Sequence, residues 1–176
     1  MDAVNDNKSK ELKEQNYKSQ YEINMNPDEK YIYQQYQAFA KSGNNVAQYN
    51  LGRCYQYGKG IHKDERKAFE WYLKSAENGH SNGQNKLGCC YEYEIGTNKD
   101  EEKAFEWYDK SAYNGNSNGQ HNLGHCYEYG VGTDKDEKKA FEWYLKSAEN
   151  GNPGGQNSLG RFMNMKLENI RMKRKH

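Results

Sequence analysis

The stretch AFEWYLKSAENG (residues 68–79) returns as AFEWYDKSAYNG (104–115) and again as AFEWYLKSAENG (140–151). Trp71, Trp107 and Trp143 therefore stand 36 residues apart at each step. The same register aligns Leu51, Leu87, Leu123 and Leu159, Gly52, Gly88, Gly124 and Gly160, and Tyr55, Tyr91 and Tyr127, with no insertion. A fixed period of this length marks a repeat architecture, in which each unit buries its apolar face on its neighbours.

Each period contains two helical segments. Helix A covers 47–58, 83–94, 119–130 and 155–166; helix B is the opening stretch, preceded by Asp64, Asp100 or Asp136. Those aspartates suit a helix start, where a carboxylate accepts orphan amide protons and favours the dipole. Gly79, Gly115 and Gly151 suit the left-handed residue that ends a helix. Helix A ends likewise at Gly58 and Gly130, but the second unit has Glu94 there. A left-handed backbone at Glu94 would cost on the order of 1–2 kcal/mol.

On a helical wheel Ala68, Phe69, Trp71, Tyr72, Leu73, Ser75 and Ala76 span about 200° at 100° per residue. One neighbour cannot cover such an arc, so helix B must touch helices of two units. The fold expected is all-α: a right-handed α-solenoid of antiparallel helix pairs, with about three full repeats and partial caps. The remaining strip carries Glu70–Lys74, Glu106–Lys110 and Glu142–Lys146, spaced for i,i+4 ion pairs. Asp109, where the other units have Leu, falls at the edge of the apolar arc. The tryptophans read as packing pieces, so truncating Trp107 is expected to cost roughly 3–5 kcal/mol.

The array begins early: Tyr36, Ala40 and Gly43 align with Tyr72, Ala76 and Gly79, although Gln35 replaces the tryptophan. This is a degenerate helix B. At the other end Leu159, Phe162, Met163, Leu167 and Ile170 keep a 3–4 spacing, which predicts a lengthened closing helix. Residues 1–27 read as a mobile N-terminal segment, 28–168 as the array with repeats near 46–81, 82–117 and 118–153, and 169–176 as a basic tail.

The 34% hydrophobic and 29% charged content of the 176 residues is thin for one round core but sufficient for stacked units. A net charge of +1 supplies no field that would favour nucleic acid or an anionic membrane. No run of 18 apolar residues occurs and the first residues lack a signal peptide's apolar core. The expectation is a cytoplasmic protein, with nuclear import through RMKRKH (171–176) as an alternative. Cys54, Cys90 and Cys126 share one repeat position, too far apart for bridging, and Cys89 points to another face than Cys90. They read as small buried residues.

AQYNLGRCYQYGKG (47–60), an acidic residue and KAFEWYLKSAENG (67–79) closely resemble the Sel-one-like repeat, a relative of the tetratricopeptide repeat. The resemblance covers roughly residues 28–165, through the Leu-Gly pair, the Tyr-x-x-Gly-x-Gly turn, the Trp-Tyr pair and the Ala-x-x-Gly ending. It implies a curved, non-enzymatic scaffold that assembles protein complexes in signalling or quality control. Because some fungal arrays follow a protein kinase domain, it also suggests a regulatory partner or fragment of a kinase pathway. Kinase motifs are absent, and Gly58-Lys59-Gly60 and Gly130-Val131-Gly132 are lone turns. The chain departs from the family at Gly83, Gly119 and Gly155, and at Ser75, Ser111 and Ser147, where Ala is usual. Each Gly weakens helix A by about 1 kcal/mol, which implies a soft array.

If repeated residues are structural, function falls where units differ. The varying positions of helix A form a stripe about 60° wide. It comprises Tyr49, Arg53, Gln56; Asn85, Cys89, Glu92; His121, His125, Glu128; and Asn157, Arg161, Asn164. Stacked, it should line the concave surface and bind other proteins or peptide segments, with Arg53 and Arg161 meeting carboxylate or phosphate. A protein kinase is one candidate partner; no cofactor is expected. His121 and His125, at i,i+4, also fit a metal-ligand spacing, but Cys126 points elsewhere and a third ligand is missing. A metal- or thiol-dependent hydrolase is therefore the weaker alternative.

Overall fold

A computed structural model describes residues 26–173; the expected mobile segment up to residue 25 and the last three tail residues lie outside them. The described residues form eight α-helices: α1 (Pro27–Lys41), α2 (Asn45–Tyr57), α3 (Glu65–Glu77), α4 (Ser81–Glu92), α5 (Glu101–Tyr113), α6 (Ser117–Tyr129), α7 (Glu137–Glu149) and α8 (Pro153–Lys173). Each helix packs on the next in sequence. The A-type helices α2, α4, α6 and α8 also approach one another, whereas the B-type helices do not. The array therefore curves with the A-type layer on its inner side.

The boundaries follow local chemistry. Asp64, Asp100 and Asp136 each accept a hydrogen bond from the third amide of the following helix. Asn44, Asn116 and Asn152 do the same for α2, α6 and α8. Those asparagine caps start the A-type helices earlier than the apolar periodicity alone suggested.

Every helix pair is interlocked by one buried tyrosine. Tyr72, Tyr108 and Tyr144 are fully buried, and each ring lies on a glycine of the partner helix. A Cβ on Gly52, Gly88 or Gly124 would come within 2.7, 2.6 or 2.8 Å of that ring. Each hydroxyl then donates to a side chain one turn further along, Gln56, Glu92 or Glu128, at 2.7, 2.6 and 2.6 Å. Early Lys67 lies over late Tyr55, and late Ser75 reaches Asn45 at the start of α2, so the pair is antiparallel.

A second contact ties each helix B to its own helix A and to the next. Ser75, Ser111 and Ser147 are buried and donate to the carbonyls of Asn45, Ser81 and Ser117. Against the same hydroxyls lie Gly83, Gly119 and Gly155 of the next unit, where a Cβ would sit 2.5, 2.4 and 2.4 Å away. The serines and glycines thus depart from the family pattern together. Where the register has Phe39 in place of serine, helix A keeps Ala47. Expecting a soft array from helix propensity alone omitted this contact. A buried amide adds a third link: Gln48, Gln84 and Gln120 donate to Ala40, Ala76 and Ala112 and accept from Asn78, Asn114 and Asn150.

The tryptophans differ from one another. Trp143 is buried by Tyr113, whose ring lies edge-on at 5.2 Å, but Trp71 and Trp107 face Lys41 and Glu77 in that register and stay partly exposed. Trp107 is therefore a smaller stabilising element than expected, and Tyr108 beside it is the larger one. Lys74, Lys110 and Lys146 lie over the tryptophan rings at 4.3, 4.1 and 4.1 Å instead of forming the expected pairs with Glu70, Glu106 and Glu142. A cation on an indole face keeps its hydration on the outer side and shields the ring. Asp109 is half-buried, and desolvation raises its pKa from the ordinary aspartate value.

Glu94 has φ 58°, and no other non-glycine among the described residues has a positive φ. It completes the turn that Gly58 and Gly130 make elsewhere. The closing helix is long, as the spacing predicts, but of its apolar residues only Phe162 is deeply buried; Met163 and Leu167 are half exposed, and the Ile170 side chain lies outside the described set.

Two substitutions have opposite expected signs. Glu94→Gly should raise stability by about 1 kcal/mol by relieving the left-handed residue, and Glu94→Ala should not; urea unfolding would show it. Gly119→Ala, which helix propensity would favour by about 1 kcal/mol, should instead cost about 1–3 kcal/mol by overpacking against Ser111.

Candidate functional site

The varying stripe of helix A lies on the inner layer, and most of its residues have partners within the protein. Gln56, Glu92 and Glu128 receive the tyrosine hydroxyls described above. Asn85 is buried and accepts a 2.9 Å hydrogen bond from Asn122 of the next unit. Tyr49 packs on Tyr72 and on His80. Cys89 is half-buried, and burial pushes its thiol pKa up despite a contact from the Tyr108 hydroxyl.

Glu128 and Arg161 form the strongest polar contact on this face. The guanidinium donates twice, at 2.8 and 2.7 Å, to a carboxylate whose side chain is only 9% exposed. Burial pushes the Glu128 carboxyl up, but hydrogen bonds from Arg161 and Tyr144 outweigh it and hold its pKa below the usual range. A forked pair of this kind uses the donors that an incoming phosphate would need. Arg161 is thus occupied, whereas Arg53, at the same repeat position, is exposed and lies 5.8 Å from the Tyr49 ring.

His121 stacks 5.7 Å from Tyr144 and shares a 3.1 Å hydrogen bond with Ser158. Desolvation, and then its neighbour His125, lower its pKa. His125 stacks on Tyr129 at 4.6 Å. Among the described residues no group of three or more His, Cys, Asp or Glu is placed to hold a metal ion. Burial pushes the Cys90 and Cys126 thiols to about 12, which leaves them protonated and poorly nucleophilic. The four cysteines are free thiols. Asn157 and Asn164 are exposed. The second glycine of the Gly-x-Gly turn serves packing: a Cβ on Gly132 would lie 2.0 Å from the Glu101 carbonyl.

The stripe omitted a row of aromatics. Tyr57, Tyr93 and Tyr129 occupy one repeat position at the end of helix A and are 53%, 63% and 48% exposed. They recur in each of the three full repeats, and the rule that constant residues are structural passed over them. Their signal was present: Tyr57 falls one helical turn beyond Arg53, on the flank of the stripe. Tyr93 also lies against Glu92, and burial followed by that carboxylate pushes its pKa to about 12.

The Sel1 repeat family matches residues 45–80, 81–116 and 117–152, and the chain belongs to it. A Sel1 repeat protein from Oxalobacter formigenes is 37% identical over 73% of this chain and 96% of its own, with TM-score 0.67. A protective antigen of uropathogenic Escherichia coli with an SLR fold is 38% identical over 76% of this chain, TM-score 0.72, but the match spans only 29% of the antigen. Cysteine rich protein B of Helicobacter pylori is 26% identical over 74% of this chain and 93% of its own, with TM-score 0.59. Comparison with curated proteins gave no significant match. Proteins of this repeat generally mediate protein–protein interactions, and the fold is typically a non-catalytic scaffold. No described helix is long and apolar enough to cross a membrane.

Arg161→Met should cost about 1–2 kcal/mol by stranding Glu128. Because the Glu128 pKa is depressed in the folded state, its contribution is present above the ordinary glutamate pKa and is lost as pH falls through the folded value. Denaturant unfolding at neutral and acidic pH should show the gap between wild type and Arg161→Met closing on acidification.

Proposed function

We propose that the inner, A-helix face binds an extended segment of a partner protein, and that the chain acts as a non-catalytic adaptor in complex assembly. The observation that carries this reading is the row of Tyr57, Tyr93 and Tyr129. Most tyrosines of the repeats are buried or half-buried, yet these three keep large rings in water at one position of successive units. An exposed aromatic gains contact area on binding at small cost in conformational entropy, which is why tyrosine is enriched at binding hot spots.

Arg53 and His125 supply the polar component, since their side chains keep donors not committed to a carboxylate. The carboxylates nearby are partly spoken for: Glu128 by Arg161 and Tyr144, Glu92 by Tyr108. A partner segment with an aromatic-compatible face and an acidic group near Arg53 fits this distribution.

Replacing Tyr57, Tyr93 and Tyr129 together by Ser should abolish capture of the partners recovered by wild-type protein from native cells, with the melting temperature nearly unchanged. Capture of the same partners by the folded variant would contradict the reading.

A further inference from the structure

The two ends of the described array are each half of a helix pair. Its order is one B-type helix, three A–B pairs, and one A-type helix. On α8 the seat for a tyrosine is made but empty: a Cβ on Gly160 would meet nothing within 4 Å, although its counterparts Gly52, Gly88 and Gly124 press on a ring. Asn164 stands where Gln56, Glu92 and Glu128 accept the hydroxyl, and Met163 and Leu167 beside it are half exposed.

The first helix carries the matching surface. The face of α3, α5 and α7 that packs on helix A bears Ala, Tyr and Ser at a 4–3 spacing; on α1 those positions are Ile32, Tyr36 and Phe39. Ile32 and Phe39 are exposed, an apolar stripe with no described helix against it. Exposed apolar surface of this sort marks an interaction site.

We infer that copies of this chain stack head to tail, with α1 of one copy serving as the helix B that no described residue supplies to α8 of the next copy. The internal antiparallel register, applied to this pair, sets Tyr36 over Gly160 with Asn164 as its acceptor. Ile32 is larger than the alanine it replaces. A groove of ≈ 530 Å³ between α7 and α8 opens beside the seat, lined by Phe141, Phe162, Met163 and Leu167 and rimmed by Glu137, Lys138 and Lys166. Charge agrees with the same register, because Asp28 and Glu29 at the start of α1 come beside the end of α8. That end holds Arg171, and Lys166, which pairs with Glu137 within the chain, against Glu168.

The A-type layer continues as well. Asn122 donates to Asn85, and Arg161 to Glu128, across successive units. In the stacked arrangement Asn50 meets Asn157, and Arg53 meets Asn164, at the equivalent positions. Such a contact is heterologous: it uses different surfaces on the two copies and leaves one of each free, so it extends into open chains instead of closing as a dimer.

Sedimentation velocity over a concentration series tests this. The wild-type weight-average mass should climb with concentration through dimer and trimer without a plateau. Ile32→Glu blocks one face and Leu167→Glu the other; both positions are exposed, and circular dichroism confirms the fold of each variant. Each variant alone should lose all association, whereas an equimolar mixture should form heterodimers and nothing larger, because each retains one intact face. A wild type that stays monomeric throughout, a plateau at dimer, or a mixture that remains monomeric would each overturn the inference.

Discussion

The array depends on a tyrosine that is buried to its ring and satisfied at its tip. A phenol is too large to bury between two helices unless one of them yields space, and a buried hydroxyl without an acceptor gives back much of what the ring gains. Both conditions are met in each unit by residues four positions apart on helix A. The glycine admits the ring, and Gln56, Glu92 or Glu128 receives the proton. The constant glycine and the varying acceptor are thus two halves of one device.

That device explains why so little apolar content suffices. The units are held by short polar links made by buried side chains: the serine hydroxyl on a carbonyl of its own helix A, and the glutamine amide, which reaches the preceding unit's helix B and accepts from its own. No described buried side-chain nitrogen or oxygen lacks a partner. Since each link is local, stability follows a sum over units and their interfaces. Losing one interface should therefore loosen its neighbours first.

Most of the fold was legible because the period was. The 36-residue step, the aspartate caps, the left-handed glycines and the strained Glu94 were all visible in the sequence, since each depends on neighbours near in the chain. The relative weight of Trp107 and Tyr108 was not. A helical wheel places both in the apolar arc, and only the positions of Glu77 and Tyr113 on the preceding helices decide that Trp107 stays partly exposed while Trp143 does not. The inner face was legible in outline alone. Variation singled out Glu128 and Arg161, but variation does not distinguish a residue facing a partner from one facing another side chain 33 residues on. Constancy, in turn, concealed the exposed Tyr57, Tyr93 and Tyr129.

The central claim, that the buried tyrosine and not the conspicuous tryptophan holds each unit together, is tested most directly by equilibrium urea unfolding of two adjacent substitutions in the middle repeat. Tyr108→Ala should cost about 3–5 kcal/mol, leaving the space over Gly88 empty and Glu92 without its donor. Trp107→Ala should cost clearly less. A Trp107→Ala loss equal to or larger than that of Tyr108→Ala would contradict the account.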